Sequence, residues 1–166
     1  MKPVALSSIA LSSGSAGDGD LYVASVSVSG GAAGHGRVSG LARSDDGALE
    51  LELRMPPELG GHGGGTNPEQ LFAAGYAACF HGSLILLATH RGIAADGVEV
   101  AVSVHFGRDP SDGLFMLAAH VRVRMPGMPR VTAAELVRNA ERVCPYTKMA
   151  RQGIESIVTL VEHGEG

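Results

Sequence analysis

A chain of 166 residues is long enough for one domain with a real core, and its 45% apolar content excludes a disordered tract. Seventeen acidic against thirteen basic residues leave a net charge of −4, the basic residues are scattered, and tryptophan is absent. Nucleic acid and an anionic membrane surface are therefore excluded as main partners. Two cysteines are too few for a secreted disulfide scaffold.

Residues 1–19 carry one lysine, and Ser7, Ser8, Ser12 and Ser13 break their apolar run. That pattern favours a flexible cytoplasmic tail over a signal peptide. Residues 20–163 then read as a single domain, with neither repeat nor linker. Between Leu21 and Ser29, Val26 and Val28 alternate with serines, which predicts a half-buried strand. A glycine-rich loop leads to a second strand over 37–44, and Ser44-Asp45-Asp46-Gly47 is a turn whose side chains bond their own backbone. Leu49, Leu51 and Leu53 alternate with Glu50, Glu52 and Arg54, a third strand with one wet face, ended by Met55-Pro56-Pro57.

A second glycine loop then opens the stretch around which the chain is organised. Asn67 is placed to cap, Pro68 suits the first helical position, and Gln70 completes a capping-box spacing. The helix that follows, from Leu71 through Ala88, is apolar nearly all round and calls for burial on every side, within a larger core or a dimer. Glu69, Gln70, His81, Ser83 and its glycines interrupt the apolar run, which argues against a membrane span.

Val98, Val100, Val102, Val104 and Phe106 alternate strictly, an Asp-Pro-Ser-Asp-Gly turn follows, and 114–125 return as the second strand of a hairpin. Thr132 and Glu135 form a capping-box spacing that opens an amphipathic helix. Cys144-Pro145 interrupts it, with 146–152 as a kinked continuation or a new turn, and 154–161 are predicted as a last strand. The order βββ-α-ββ-α-β is an α+β layout.

The candidate chemistry centres on Cys79 and Cys144, 65 positions apart and each on or beside a helix. Either is an inert buried thiol, or the two meet as a reactive pair, one attacking and one resolving. A helix restart at Pro145 offers Cys144 N–H groups and a positive dipole end. Cys79, well inside its helix, needs a cation instead, and arginine suits because it stays charged when buried. Glu69 is the obvious partner for that arginine, yet ten residues of straight helix put it about 15 Å from Cys79. Either the helix breaks near Gly75 or an arginine from another strand spans the gap. The loop from Gly60 to Thr66 lacks the lysine of a phosphate-binding loop, the seven histidines show no metal-ligand spacing, and His81 faces away from Cys79 on a helix.

TNPEQLFAAGYAACF around Cys79 and VCPYTKMARQGI around Cys144 closely resemble the organic hydroperoxide resistance (Ohr) branch of the OsmC/Ohr family, and the resemblance runs from about Leu21 to Val161. It implies an intertwined homodimer with the central helices buried between curved antiparallel sheets and each active site at the subunit boundary. It also implies a thiol peroxidase that reduces organic hydroperoxides, fatty-acid hydroperoxides included, to alcohols. Cys79 matches the peroxidatic cysteine, Cys144 the resolving one, and Glu69 the glutamate that pairs with a catalytic arginine. The loop that carries this arginine is longer here than usual, with Ala32 where an arginine would follow two glycines. Arg37 is the match by distance to the cysteine, and Arg43 is the reserve. Lys148 and Met149 replace smaller residues after the second motif. No bound cofactor or metal is implied; dihydrolipoamide or a lipoylated protein is the implied electron donor. Phe72, Tyr76, Phe80 and Tyr146 are placed to shape an apolar channel for the peroxide. The competing class is a non-catalytic redox sensor or a lipid-like ligand binder on the same fold, and a peroxidase preferring hydrogen peroxide is the enzymatic alternative.

Overall fold

The computed structural model describes residues 20–31 and 39–160, so the expected tail and Arg37 lie outside the described residues. The chain forms two compact units that divide between Asn67 and Pro68.

The first unit is a three-stranded antiparallel sheet in the order β1 (Val26–Ser29), β2 (Ser39–Ser44) and β3 (Glu50–Arg54). The predicted turn closes β2 onto β3: the Ser44 hydroxyl donates to Asp46 Oδ1 at 2.6 Å, and the Ala48 N–H donates to the same oxygen at 3.0 Å. The Ser44 hydroxyl and the Ala48 N–H hold the Asp46 carboxyl below its ordinary value. Along β3, Leu53 is buried while Glu50, Glu52 and Arg54 are exposed, as the alternation requires. The expectation for β1 fails. Val26 and Val28 are 54% and 57% exposed, because β1 is an edge strand whose valine face is left uncovered by the described residues.

After a short 3-10 turn at Pro57–Leu59, the glycine loop doubles back along β3. Thr66 N–H donates to the Glu52 carbonyl at 2.9 Å and Arg54 N–H to the Thr66 carbonyl at 2.8 Å. A Cβ at Gly65 would stand 2.6 Å from the Glu52 carbonyl oxygen, and one at Gly61 would collide with the Met55 backbone. The glycines serve this close backbone approach.

The second unit is built on α1 (Pro68–His90), an unbroken helix that begins at the expected proline. It packs against β4 (Glu99–Arg108), α2 (Arg130–Val143) and α3 (Pro145–Gln152), while β5 (Phe115–Arg124) pairs with β4 along its whole length. By length and composition alone, α1 would also suffice to cross a membrane. Here it serves as a core helix. Tyr76, Phe80, Ser83, Leu84, Leu87 and Ala88 form one buried stripe at helical spacing. Burial on every side, as its composition calls for, is not reached among the described residues. Leu84, Leu136, Ala140 and Cys144 form the driest part of the core.

Two further expectations are corrected. Helix α2 starts at Arg130, with Pro129 as its N-cap residue, and no capping box forms at Thr132. The Pro129 carbonyl already accepts the Ala133 N–H at 3.0 Å, and Glu135 is drawn instead to Arg91 at the end of α1, 3.1 Å away. The last strand is also absent over 154–160, so the observed order is βββ-α-ββ-α-α. That segment has no partner edge among the described residues, and Ile157, Val158 and Leu160 are 81%, 96% and 94% exposed.

Leu84→Ala should destabilise the protein by about 2–5 kcal/mol, because its fully buried side chain leaves a cavity between packed helices. Urea unfolding followed by circular dichroism measures this, and a change below about 0.5 kcal/mol would contradict the packing described.

Candidate active site

Helix α1 carries Cys79 at its middle, and the α2–α3 junction carries Cys144. At Cys144 the backbone turns extended (φ −70°, ψ 117°), which ends α2 and lets Pro145 begin α3 with its φ already set. A new helix, and not a kinked continuation, therefore starts there. The two thiols are free, and their sulfurs share a hydrogen bond at 3.3 Å. A disulfide needs the sulfurs only about 1.3 Å closer. Cys144 is completely buried, whereas Cys79 is half-buried.

The environments push the two thiols apart. Burial raises Cys79 most, the Tyr146 N–H opposes it, and the neighbouring Cys144 adds to the rise. Burial also acts against ionisation of Cys144, but the Thr147 N–H, a hydrogen bond from Cys79, the Thr147 hydroxyl and the Tyr146 N–H together outweigh it and bring that thiol below its ordinary value. The Cys144 sulfur forms no regular cap hydrogen bond, so the N–H groups of α3 act on it as aligned dipoles. The helix restart predicted this stabilisation. Thr147 was not foreseen; the signal available was its place in the first turn of a helix that starts at a cysteine.

An aromatic cluster flanks the pair. Tyr76 and Tyr146 have ring centroids 5.9 Å apart, and Phe72 packs on both at 6.1 and 6.2 Å. Tyr146 lies directly on the α1 backbone: a Cβ at Gly75 would stand 2.7 Å from its hydroxyl. Tyr76 donates its own hydroxyl to Thr147 Oγ1 at 3.2 Å. Phe72, Tyr76, Phe80, Val121, Val137 and Thr147 line part of a cavity of about 470 Å³, with Glu141 and Arg151 also on its wall. Tyr146 packs behind that lining.

Glu69 sits in the first turn of α1, and the unbroken helix removes the idea of a break at Gly75. Arg43, the reserve arginine, is on β2 with its Nε bound to Glu50 at 2.9 Å, in an exposed cross-strand pair. No group of three or more His, Cys, Asp or Glu among the described residues is placed to hold a metal.

A family profile described as OsmC-like protein matches residues 61–159. The organic hydroperoxide resistance protein of Xanthomonas axonopodis pv. citri (strain 306) is 42% identical over 142 residues, covering 84% of this chain and 94% of the relative. OhrB of Bacillus subtilis is 41% identical over 135 residues, covering 81% and 94%. The crystal structure of that OhrB is similar with a TM-score of 0.69 over 80% of this chain and 93% of the other. A Vibrio cholerae protein, described as an organic hydroperoxide resistance protein with captopril in one of its active sites, is 35% identical with a TM-score of 0.72, covering 82% and 89%.

The inequality of the thiols sets an order of ionisation. Titrated by ultraviolet thiolate absorbance, Cys79→Ser, in which Cys144 is the remaining thiol, should show an ionisation below that of an ordinary thiol. An ordinary or raised value there would contradict the stabilisation described at the start of α3.

Proposed function

The chain belongs to the OsmC-like protein family, in its organic hydroperoxide resistance branch, and on that premise we propose that it is a cysteine-based peroxidase reducing organic hydroperoxides to alcohols. The observation that carries the mechanism is the 3.3 Å separation of the Cys79 and Cys144 sulfurs. The Cys79 thiolate attacks the distal peroxide oxygen; the O–O bond breaks, the alkoxide takes a proton and leaves as alcohol, and Cys79 is left as a sulfenic acid. The Cys144 sulfur then attacks Cys79, hydroxide leaves as water after gaining a proton, and a disulfide forms. A dihydrolipoyl dithiol, free or on a lipoylated protein, returns both thiols.

Burial works against the first step, since it holds Cys79 protonated. A cation must offset this, and Arg37, paired with Glu69, takes that role in the proposal. Resolution is favoured by the lowered Cys144 thiol, which supplies a ready nucleophile. Phe72, Tyr76 and Phe80 give part of the cavity an apolar wall that an alkyl chain can use and hydrogen peroxide cannot, although neither thiol lines it.

The working unit in this reading is a homodimer. Support comes from the exposed Val26, Val28, Ile154, Ile157, Val158 and Leu160, and from the sides of α1 that the described residues leave open. Two free thiols this close suit a reducing cytoplasm.

Steady-state turnover with dihydrolipoamide should be at least about tenfold faster with cumene hydroperoxide than with hydrogen peroxide, be abolished by Cys79→Ser and fall at least about 100-fold in Arg37→Ala. Oxidation of the pair without turnover by any dithiol would leave a redox sensor as the better account. Turnover that survives Arg37→Ala would remove that arginine from the mechanism.

A further inference from the structure

The two sulfurs of the pair are not equally reachable. Cys144 is closed off at the α2–α3 junction with no exposed surface, whereas Cys79 on α1 is half-buried. In thiol–disulfide exchange the incoming thiolate attacks one sulfur in line with the S–S bond, and the other sulfur leaves with the electron pair. Attack from solvent therefore falls on Cys79 and makes Cys144 the leaving group. The structure has a receiver for it. The Tyr146 and Thr147 N–H groups face the Cys144 sulfur at the start of α3, and the Thr147 hydroxyl lies against it. Tyr76 donates to Thr147 Oγ1 from inside the core at 3.2 Å, so the proton of the Thr147 hydroxyl is left for the sulfur.

We propose that the reducing dithiol attacks Cys79 of the Cys79–Cys144 disulfide, that Cys144 departs as a thiolate, and that Thr147, set by Tyr76, is the positioning residue that receives it. The inference rests on the disulfide of the peroxidase reading. In the first step one thiolate of the dithiol bonds to Cys79 and the Cys79–Cys144 bond breaks towards Cys144. In the second, the other thiolate attacks its partner sulfur, Cys79 leaves, and the reductant closes as a cyclic disulfide. Two electrons pass to the protein, and the two protons of the dithiol end on the cysteines. The groups acting on Cys144 in this account are Cys79, Tyr146 and Thr147.

The test begins with full-length protein oxidised by diamide, so that it does not depend on peroxide turnover. A brief pulse of 2-mercaptoethanol, quenched with acidic N-ethylmaleimide, is followed by peptide mass spectrometry. The expected result is mercaptoethanol on Cys79 and maleimide on Cys144, in at least about tenfold excess over the reverse. The reverse pattern, or an even split, overturns the proposal while leaving the peroxidase reading intact. Failure of diamide to form any disulfide overturns both. For the positioning role, reduction of the oxidised protein by dihydrolipoamide should slow about threefold to tenfold in Thr147→Val and be retained in Thr147→Ser. In a Cys79→Ser background, Thr147→Val should also move the Cys144 thiolate titration upward, a shift that a merely structural defect would not give. An unchanged rate with an unchanged titration overturns the role of Thr147.

Discussion

The close approach of Tyr146 to the backbone of α1 sets the register on which the site depends. Gly75 leaves the space for that ring, and Cys79 lies one helical turn further along the same helix. Cys144 is two residues before Tyr146, at the point where α2 stops and α3 starts. Placing the ring on Gly75 therefore places one sulfur against the other. Phe72 and Tyr76 fix the ring from two sides, and the Tyr76 hydroxyl reaches on to Thr147. A side chain at position 75 would displace the Tyr146 ring from this place.

That register also explains why two cysteines in one core differ. Cys144 is fully and Cys79 partly removed from water, which alone would raise both thiols. Cys144 gains the N–H and hydroxyl of Thr147 as well as the Tyr146 N–H, while Cys79 gains the Tyr146 N–H alone against burial and the neighbouring thiol. In the proposed cycle the difference falls usefully at both ends: Cys144 is the better nucleophile when the disulfide closes and the better leaving group when it opens. The activation of Cys79 must come from a charge outside its helix. This is the role the proposal gives to Arg37.

Much of this was legible in the sequence because the signals were local. Asn67-Pro68 marked the start of α1, the alternating valines marked β4, the Ser44–Gly47 run marked its turn, and Pro145 marked the helix restart beside Cys144. Three expectations failed for want of non-local information. The alternation in β1 indicates a face to be covered but not which chain covers it, and the same holds for 154–160. The Thr132–Glu135 spacing was a valid local signal that lost to Arg91, a partner distant in sequence. The meeting of Cys79 and Cys144 could not be derived from spacing, and came from resemblance. The Thr147 contact was missed because it exists only once the two helices are packed.

The most direct test is to treat the fully reduced protein with one equivalent of cumene hydroperoxide, quench it with acid and map its cysteines by mass spectrometry. The account predicts loss of both thiols together and a Cys79–Cys144 disulfide as the main product. A Cys79 sulfenic or sulfinic acid accumulating beside an unmodified Cys144 thiol would contradict it.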